Sequence, residues 1–416
     1  MAKPVVVVGA GLAGLVCARR LHQAKVPVLL IDAADRVGGR LRTDVVDGFR
    51  LDRGFQVLFT AYPSAREELD FSKLNLRRFE PGAQIYREGK LHTVNKDDPL
   101  QAITSTYLAL SDKLRILDLT WECRGISLQQ IWRQPDMPTE RFLRQMGLSN
   151  EFLERFARPF FGGIFMDRDL QVSRRMFQYV WKMLSEGDTV LPALGISAIP
   201  EQIAQDLPVT AIRLNVRVKS IDTGRKPSVT TTSGEKIDAA AVVVATEAPE
   251  AERLTGFVTP KGARGQVCLH FEAPIAPTDS SLIVLRSGSG RTNMVVPMSN
   301  VAPELAPYGK HLVCATILGD SDETDGHLAE LVRKEVAAWF PLGRVPEWRL
   351  LKVDRIPYAQ FAQPPGFNNH LPGNTPGRDG LYFAGEFTVS SSIQGALESG
   401  AECAALLLQD LGRLSV

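Results

Sequence analysis

The sequence has 416 residues, a formal net charge of +1 and a hydrophobic fraction of 44%. The length suits two interleaved domains with a sizeable core, and the near-zero charge argues against nucleic acid as a partner. We find no secretory signal pattern and no apolar run of the roughly 18–20 residues that a membrane-spanning helix needs. We therefore expect a cytoplasmic protein, at most peripheral on a membrane.

The cysteines and histidines do not predict a metal site. The six histidines are dispersed without paired ligand spacing, and the five cysteines form no C-x-x-C pattern. The cysteines are Cys17, Cys123, Cys268, Cys314 and Cys403. Because their number is odd and their positions are scattered, we expect reduced thiols in a reducing compartment and no bound metal.

Taken in chain order, residues 4–32 read as strand, glycine turn, helix and strand, which is a βαβ unit. Residues 61–204 are mostly helical in pattern, and residues 209–246 look like strands that return to the first sheet. Residues 256–374 are rich in strands, and residues 380–410 supply a last strand and helix. We predict an α/β protein with one nucleotide-binding domain (1–60, 205–255 and 375–416). Residues 61–204 and 256–374 would form a substrate domain, with a helical part at 95–204 and a sheet part at 256–374.

The first glycine turn predicts a bound dinucleotide. Gly9, Gly11 and Gly14 form G-x-G-x-x-G between a four-valine strand and a helix. The three glycines allow the tight turn, the approach of a pyrophosphate and close helix packing, while the helix N-terminus attracts phosphate. Asp32 ends the second strand at about the ~20-residue distance expected for a carboxylate that accepts ribose hydroxyls.

A second glycine pair favours FAD over a nicotinamide dinucleotide. Gly38 and Gly39 are flanked by Arg36, Arg40 and Arg42. An extended FAD runs past the helix tip and needs such a second turn, and arginine suits phosphate because its planar fork donates two parallel bonds. A solvated basic loop is the alternative interpretation of these arginines.

Three stretches together resemble the flavin-containing amine oxidase superfamily, in its protoporphyrinogen oxidase and phytoene desaturase-like branch: VVVVGAGLAGL, DRVGGRLRT and GLYFAGEFTVSSSIQGALESG. The superfamily also holds carotenoid isomerases and non-catalytic prenyl-protein escorts. The resemblance implies a Rossmann-like FAD-binding domain of the glutathione-reductase type, similar to that of p-hydroxybenzoate hydroxylase, with an inserted α+β substrate domain. In this superfamily the first turn holds the adenine end of FAD and the last turn holds the flavin end.

The resemblance also implies roles at the flavin end. Glu386 would face the ribitol or pyrophosphate, and the closing helix would present its N-terminus to the flavin N1/O2 edge, where reduced flavin gathers negative charge. Gly54 would let the backbone approach the flavin, and Val218 would place its backbone against adenine. The complete predicted cofactor-binding set is Gly9, Gly11, Leu12, Ala13, Gly14, Asp32, Ala33, Arg36, Gly38, Gly39, Arg40, Gly54, Val218, Gly385, Glu386, Ser392, Ile393, Gln394 and Ala396.

Departures from the amine oxidase pattern favour another branch. By spacing, Gln266 stands where amine oxidases of this superfamily carry a lysine near flavin N5, and Ser392 replaces a cage tyrosine. The stretch VSSSIQG offers no cysteine for a covalent flavin link, so FAD should be bound non-covalently. Gln266 and Tyr358 are the predicted catalytic residues, and His370 is a further polar candidate.

We therefore expect hydride abstraction from a hydrophobic substrate of isoprenoid, carotenoid or tetrapyrrole type, by a desaturase, oxidase or isomerase. Without a second nucleotide fold for a nicotinamide, dioxygen or a quinone is the expected electron acceptor. The basic and aromatic segment at 155–166 suggests a membrane surface, although such residues more often pack in a core. A flavin amine oxidase and a non-catalytic prenyl or lipid carrier are the alternatives.

Overall fold

The computed structural model describes residues 3–95 and 107–412. The strands are β1 (Val5–Val8), β2 (Val28–Ile31), β3 (Thr43–Val46), β4 (Phe49–Asp52), β5 (Leu58–Phe59), β6 (Leu76–Arg78), β7 (Gly82–Arg87), β8 (Lys90–Asn95), β9 (Thr189–Pro192), β10 (Ile212–Arg213), β11 (Val218–Asp222), β12 (Ser228–Thr231), β13 (Lys236–Asp238), β14 (Ala241–Val244), β15 (Ala263–Ala273), β16 (Ile283–Arg286), β17 (Thr292–Val296), β18 (His311–Leu318), β19 (Arg349–Phe361) and β20 (Leu381–Phe383).

The α-helices are α1 (Leu12–Gln23), α2 (Pro63–Glu68), α3 (Leu110–Gly125), α4 (Leu128–Arg133), α5 (Thr139–Gln145), α6 (Asn150–Phe152), α7 (Arg158–Phe165), α8 (Arg174–Glu186), α9 (Ala198–Ala204), α10 (Ala248–Thr255), α11 (Met298–Val301), α12 (Asp325–Val336) and α13 (Ile393–Asp410). Among the described residues, no helix combines the length and apolarity needed to cross a bilayer.

A five-stranded sheet contains the predicted βαβ unit. Its order is β10-β2-β1-β14-β20, and all paired neighbours run parallel. Val5, Val6 and Val7 are fully buried, as is typical of a parallel strand covered on both faces. The helices that follow β1 and β20 touch closely, since a Cβ added at Gly400 of α13 would lie 2.4 Å from the backbone oxygen of Ala13. The first and last segments of the chain therefore build one layer.

A seven-stranded sheet has two different faces. Its order is β19-β15-β18-β17-β16-β7-β8. On β15, Val267, Leu269 and Phe271 pack in an apolar cluster with Trp339, Trp348 and residues of α12. The alternate residues of β15 point to the opposite face, because side chains alternate along a strand. That opposite face meets the loop after β4 and completes the site described below.

Two expectations about secondary structure were wrong in part. Residues 209–246 return to the five-stranded sheet only through β10 and β14, since β11, β12 and β13 form a separate antiparallel sheet. The mostly helical pattern expected over 61–204 fails at 76–95, where β6, β7 and β8 lie. Glu88 and Gly89, with φ of 50° and 80°, turn β7 into β8 in a hairpin of the type that needs positive φ at both positions.

The aromatic rings of the segment at 155–166 pack against the core. Phe161 is 1% exposed, and its ring centroid lies 4.8 Å from Phe177 and 5.4 Å from Trp181. Phe156 and Phe160 pack partly buried against the same core. This packing agrees with the alternative interpretation, in which such aromatic residues belong to a core.

The predicted domain boundaries stay a prediction. We propose that 1–60, 205–255 and 375–416 form the nucleotide-binding unit, because these three segments supply every strand of the five-stranded sheet. The two insertions between them would form the substrate unit.

Candidate active site

The carboxyl edge of the five-stranded sheet gathers the residues that the motifs predicted. Gly9 follows β1, Asp32 follows β2, and Gly385 and Glu386 lie just past β20. Because β1, β2, β14 and β20 are parallel, the loops that follow them lie at the same edge. Open α/β sheets bind nucleotides at this edge.

The first glycine turn (Gly9–Gly14) needs glycine for two different reasons. Gly9 has φ of +113°, and a Cβ there would lie 2.5 Å from the Ala245 oxygen. A Cβ at Gly14 would lie 2.0 Å from the Gly9 oxygen, so only glycine lets α1 pack on the turn. At Gly11, by contrast, a Cβ would meet no described atom within 4 Å. This open space lies at the N-terminus of α1, which no side chain caps.

The second glycine turn (Gly38–Gly39) lies directly against the first. The Gly38 amide donates to the Ala10 oxygen at 2.8 Å, and a Cβ at Gly39 would lie 3.3 Å from the α-carbon of Gly11. Gly38 and Gly39 have φ of +115° and +59°. The two turns therefore form a single continuous backbone surface beside the free N–H groups of Leu12 and its neighbours in α1, which suits an extended pyrophosphate.

Asp32 braces the first turn. Its carboxylate accepts hydrogen bonds from the amide of Ala10 at 2.6 Å and from the amide of Ala34 at 2.7 Å, and Ala33 lies within the same bend. These two bonds fix the direction of the carboxylate at the end of β2. The predicted contact with ribose hydroxyls stays a prediction.

The three arginines beside the second turn have different environments. Arg40 reaches the carboxyl edge, where its guanidinium lies 2.7 Å from Glu386 Oε1 and donates to the Ala359 oxygen at 2.9 Å. Arg36 instead donates to the Thr43 oxygen at 3.2 Å, and Arg36 and Arg42 both lie beside acidic side chains of the β2–β3 region, Asp35 and Asp44. Arg40 is thus the arginine that the structure brings to the closing turn, which joins β20 to α13 (residues 384–392).

Glu247 is a member of the site that sequence reasoning missed. It follows β14, and its Oε1 lies 3.7 Å from Arg40 Nε, so Arg40 lies between Glu247 and Glu386. Burial raises the pKa of Glu247, which Arg40 partly opposes and Glu386 reinforces. A signal was available, because Glu247 ends the buried run AAVVVATE at the same edge of the sheet as Gly9.

The closing turn places the N-terminus of α13 at this edge. Ser392 caps the helix by accepting a hydrogen bond from the Gly395 amide at 2.9 Å, and the Ala396 amide bonds the Ser392 oxygen. The amides of Ile393 and Gln394 remain in the first turn without an intrahelical acceptor. Because α13 starts seven residues before Gly400, its N-terminus extends about 10 Å beyond the crossing with α1. The two helix N-termini are therefore separated along one extended groove.

The side-chain amide of Gln394 is already hydrogen-bonded within the protein. Its Oε1 accepts from the Ser64 amide at 2.9 Å, and its Nε2 donates to Ser64 Oγ at 2.7 Å and to Glu398 at 3.1 Å. The predicted role of Gln394 in cofactor binding would therefore fall to its backbone amide. Its side chain instead fixes α2 to the start of α13.

The model of the family described as flavin containing amine oxidoreductase matches residues 12–408. The chain belongs to this family. As a flavin-containing amine oxidoreductase it is an FAD-dependent enzyme, and the resemblance drawn from its three motifs is confirmed. The fold is the predicted α/β class, with a Rossmann-like FAD-binding part joined to a substrate part.

Relatives of this flavin-containing amine oxidoreductase carry several activities in their names. The chain is 28% identical over 188 residues to protoporphyrinogen oxidase 2 of Arabidopsis thaliana, covering 44% of this chain and 36% of that protein. It is 24% identical over 460 residues to hydroxysqualene dehydroxylase of Rhodopseudomonas palustris, covering 98% and 99%. A solved putrescine oxidase with putrescine bound has a TM-score of 0.75 at 18% identity, covering 98% and 99%. The match covers 36% of protoporphyrinogen oxidase 2, and the solved structure at 18% identity shows the fold alone, so these relatives leave the substrate open.

FAD fits the residues that the flavin-containing amine oxidoreductase presents. The open space at Gly11 lies beside uncapped amides of α1, as a pyrophosphate requires. At the other end, Glu386 is 4% exposed, and the Arg40 guanidinium lies 2.7 Å from its Oε1. A buried carboxylate has lone pairs beyond the one that faces Arg40, so a ribitol hydroxyl could donate to it as well.

The predicted catalytic pair lies on the face of the seven-stranded sheet that meets Gly54. A Cβ at Gly54 would lie 2.7 Å from both Gln266 Nε2 and Ile356 Cδ1. Gln266 is 6% exposed and faces Ile356 across the β15–β19 ladder, and Tyr358 lies two residues further on the same face. Gly54 has φ of +76°, which favours glycine at this position, and the predicted close approach of flavin there stays a prediction.

Tyr358 connects this face to Arg40 and its two carboxylate neighbours, Glu247 and Glu386. The Arg40 guanidinium lies 5.7 Å from the Tyr358 ring centroid, and the buried Tyr358 hydroxyl has no partner in the described residues. Burial raises the pKa of Tyr358, and Glu386 raises it further, so the phenol stays protonated. The structure thus places Tyr358 as a neutral donor beside Arg40 and Glu386.

Two other predicted residues lie elsewhere. Val218, the first residue of β11, is 5% exposed, and its oxygen accepts a bond from Arg253 at 3.2 Å, which leaves its proposed contact with adenine untested. His370 ends a short 3-10 helix at Phe367–His370 and is exposed. Its location gives no support to a catalytic role.

An aromatic cluster beside the start of α13 was not predicted. Tyr62 and Tyr179 stack with centroids 6.2 Å apart, and Trp132 stacks on Tyr179 at 5.9 Å. Tyr62 adjoins α2, which Gln394 bonds through Ser64. Burial raises the pKa of Tyr179, whose hydroxyl has no partner among the described residues. The sequence offered no signal for this cluster, because its members come from separate segments.

Proposed function

We propose that this flavin-containing amine oxidoreductase removes hydride from a C–H bond of a large hydrophobic substrate, of isoprenoid, carotenoid or tetrapyrrole type. Gln266 is the observation that carries the proposal. Its amide lies buried beside Gly54 and Ile356, where a basic side chain would serve an amine oxidase. An amide neither carries charge nor moves a proton at neutral pH, so it suits a substrate without an amine to deprotonate.

The relatives named above support a hydrophobic substrate. Hydroxysqualene dehydroxylase aligns over nearly the whole of both chains, and phytoene desaturase and protoporphyrinogen oxidase match parts of the chain. Bound FAD would supply the hydride acceptor. The protein would orient the substrate against Gln266 and exclude water, and the cluster of Tyr62, Tyr179 and Trp132 would provide an apolar wall.

Anaerobic titration of the purified yellow protein tests this proposal. Isoprenoid alcohols, carotenoids, porphyrinogens and polyamines are added one class at a time, and flavin bleaching is followed by absorbance. We expect bleaching by a hydrophobic class and none by amines. Bleaching by amines alone would replace the proposal with an amine oxidase, and a colourless protein that binds prenyl groups would replace it with a carrier. Reoxidation by dioxygen and by a soluble quinone then compares the two proposed electron acceptors.

Gln266→Lys should create amine oxidation. The lysine would supply the basic group that Gln266 lacks, so we expect peroxide release with amines at least about tenfold above wild type. A coupled peroxide assay measures it, and Arg264→Lys on the same strand is the control. If the wild type already releases peroxide with amines as fast as the Gln266→Lys variant, the assignment of Gln266 is wrong.

FAD should leave the protein on denaturation. The residues around the start of α13 that follow Gly385 contain no cysteine, and the described cysteines nearest in the chain, Cys403 and Cys314, are both buried, the first within α13. We expect acid precipitation to release essentially all of the flavin into the supernatant, as measured by fluorescence. Flavin that stays with the precipitated chain would show a covalent link.

We also propose that α3 touches a membrane surface. Leu114, Leu117 and Trp121 share one helix face and are 56%, 56% and 77% exposed, a large apolar surface for one helix. Vesicle flotation with anionic and neutral lipids measures the contact, and we expect the double variant Leu117→Ser, Trp121→Ser to reduce the bound fraction several-fold. Val209→Ser, at an isolated exposed position, is the control. Equal flotation of wild type and the double variant would contradict the proposal.

A further inference from the structure

The inner face of the seven-stranded sheet carries a buried group of metal-binding side chains. Cys268 and His270 follow Gln266 on the same face of β15. Cys314 of β18 lies opposite His270, and Asp354 of β19 lies opposite Cys268. All four side chains are buried, and none has a role in the site described above.

The distances among these side chains approach those of one tetrahedral metal site. Cys268 Sγ lies 3.0 Å from Cys314 Sγ and 3.6 Å from His270 Nε2, and the three ligand atoms all lie within 4.8 Å of one another. His270 Nε2 lies 3.5 Å from Asp354 Oδ2, which is not among the three atoms within 4.8 Å of one another and would have to turn toward the sulfurs to bind the same ion. In a tetrahedral zinc site with Zn–S near ~2.3 Å and Zn–N near ~2.0 Å, the ligand atoms are about 3.3–3.8 Å apart. Only the sulfur pair is closer than this, and rotation of the Cys268 thiol would lengthen it.

Unpartnered atoms surround this group. Asp354 Oδ2 and His270 Nδ1 are buried, and within the described residues neither has a hydrogen-bond partner. Buried polar atoms without partners are rare in folded proteins, and two on neighbouring side chains are consistent with a ligand. A metal bound by His270 Nε2 and Asp354 Oδ2 would satisfy one of them directly. It would also fix Nδ1 as the protonated nitrogen of His270.

The charges also suit a divalent cation. Lys352 Nζ lies 2.7 Å from Asp354 Oδ1, on the carboxylate oxygen that faces away from His270, and 2.6 Å from Asp44 Oδ2. Two thiolates, the Asp354 carboxylate, one divalent cation and Lys352 sum to zero charge. A buried group of charges is tolerated when it is balanced in this way. Binding would release the thiol protons to solvent.

We propose that Cys268, Cys314, His270 and Asp354 bind one zinc ion. The ligands are two sulfurs, one imidazole nitrogen and one carboxylate oxygen, a set that favours zinc in tetrahedral geometry over the oxygen-binding cations. Four protein ligands leave no open position, so the ion is structural. It cross-links β15, β18 and β19 behind Gln266. The sequence predicted no metal because these ligands come from three strands, and only the C-x-H pair is local.

Metal analysis of the flavin-loaded protein tests the proposal. After dialysis against EDTA, we expect about one zinc per chain, and less than about a tenth in Cys268→Ser and in the milder Asp354→Asn. Cys123→Ser removes a buried thiol of α3, outside the group, and should keep the zinc. A flavin-loaded wild type without zinc, even after growth with added zinc, overturns the proposal. So does a Cys268–Cys314 disulfide in the purified chain, or zinc retained by the double variant Cys268→Ser, Cys314→Ser.

A second measurement needs no variant that must fold. X-ray absorption at the zinc edge of the wild type should show two sulfur neighbours at about 2.3 Å and two lighter neighbours at about 2.0–2.1 Å. Cobalt exchanged into the site should give tetrahedral bands at wavelengths beyond the flavin absorption. A spectrum with oxygen and nitrogen neighbours alone would identify an adventitious surface ion and overturn the assignment.

Discussion

Gly11→Ala is expected to weaken FAD binding at least about 100-fold, equivalent to about 2.7 kcal/mol, while the apoprotein keeps its stability. A methyl at position 11 meets no described atom within 4 Å, so the fold accommodates it. The same space is where a pyrophosphate must approach the uncapped amides of α1, and the methyl excludes it. Flavin stoichiometry of the purified variant and a titration of the apoprotein with FAD measure the effect.

Matched glycines make this result interpretable. Gly326→Ala also adds a methyl in open space, in the first turn of α12, and should leave FAD binding unchanged. Gly14→Val should instead prevent folding of the turn, because its Cβ would lie 2.0 Å from the Gly9 oxygen. If Gly11→Ala binds FAD as tightly as Gly326→Ala does, the pyrophosphate does not pass Gly11.

Arg40→Met should lower the free energy of unfolding of the apoprotein by about 2–4 kcal/mol. The Glu386 side chain is 5% exposed, and the variant leaves its carboxylate without the guanidinium that lies 2.7 Å away. Glu247 loses the same neighbour. Urea unfolding measures the loss. Arg344→Met breaks an ion pair whose side chains are both about half exposed, and should cost less than about 1 kcal/mol.

The loss in Arg40→Met should grow as the pH rises. Burial already raises the pKa of Glu247, and Arg40 is the group that lowers it. An acid with a raised pKa stays protonated to a higher pH in the folded state than in the unfolded state. Its contribution to stability is therefore present at low pH and is lost as the pH rises through that raised pKa, above the ordinary ~4.3 of glutamate. A loss that is independent of pH would show that no carboxylate around Arg40 titrates abnormally. Arg40→Met with Glu386→Gln should recover part of the stability.

The parts of the fold that the sequence predicted depend on local requirements. Gly9 and Gly38 have a positive φ, and at Gly9, Gly14 and Gly38 a Cβ would clash with a backbone oxygen. Only glycine satisfies these constraints, so they can be recognised in the sequence. The order of strand, glycine turn and helix therefore indicated a dinucleotide and a βαβ unit from the sequence alone.

The residues that sequence reasoning missed depend on the register of distant strands. Glu247 meets Arg40 only because β14 lies between β1 and β20 in the sheet. Cys314 meets His270 because β18 pairs with β15 in one register, and a shift by one residue would turn it to the other face. The side chain of Gln394 bonds Ser64, because α2 packs beside α13. No local pattern encodes these pairings.

The crossing of α13 over α1 at Gly400 and Ala13 sets an order on maturation in the cell. During synthesis the segment that would hold adenine leaves the ribosome long before the helix that would hold the isoalloxazine ring. The nascent chain would thus expose only half of the binding groove. Stable binding of FAD would require that translation has passed α13. Premature termination upstream of Ile393 would yield a colourless chain for chaperones and proteases to handle.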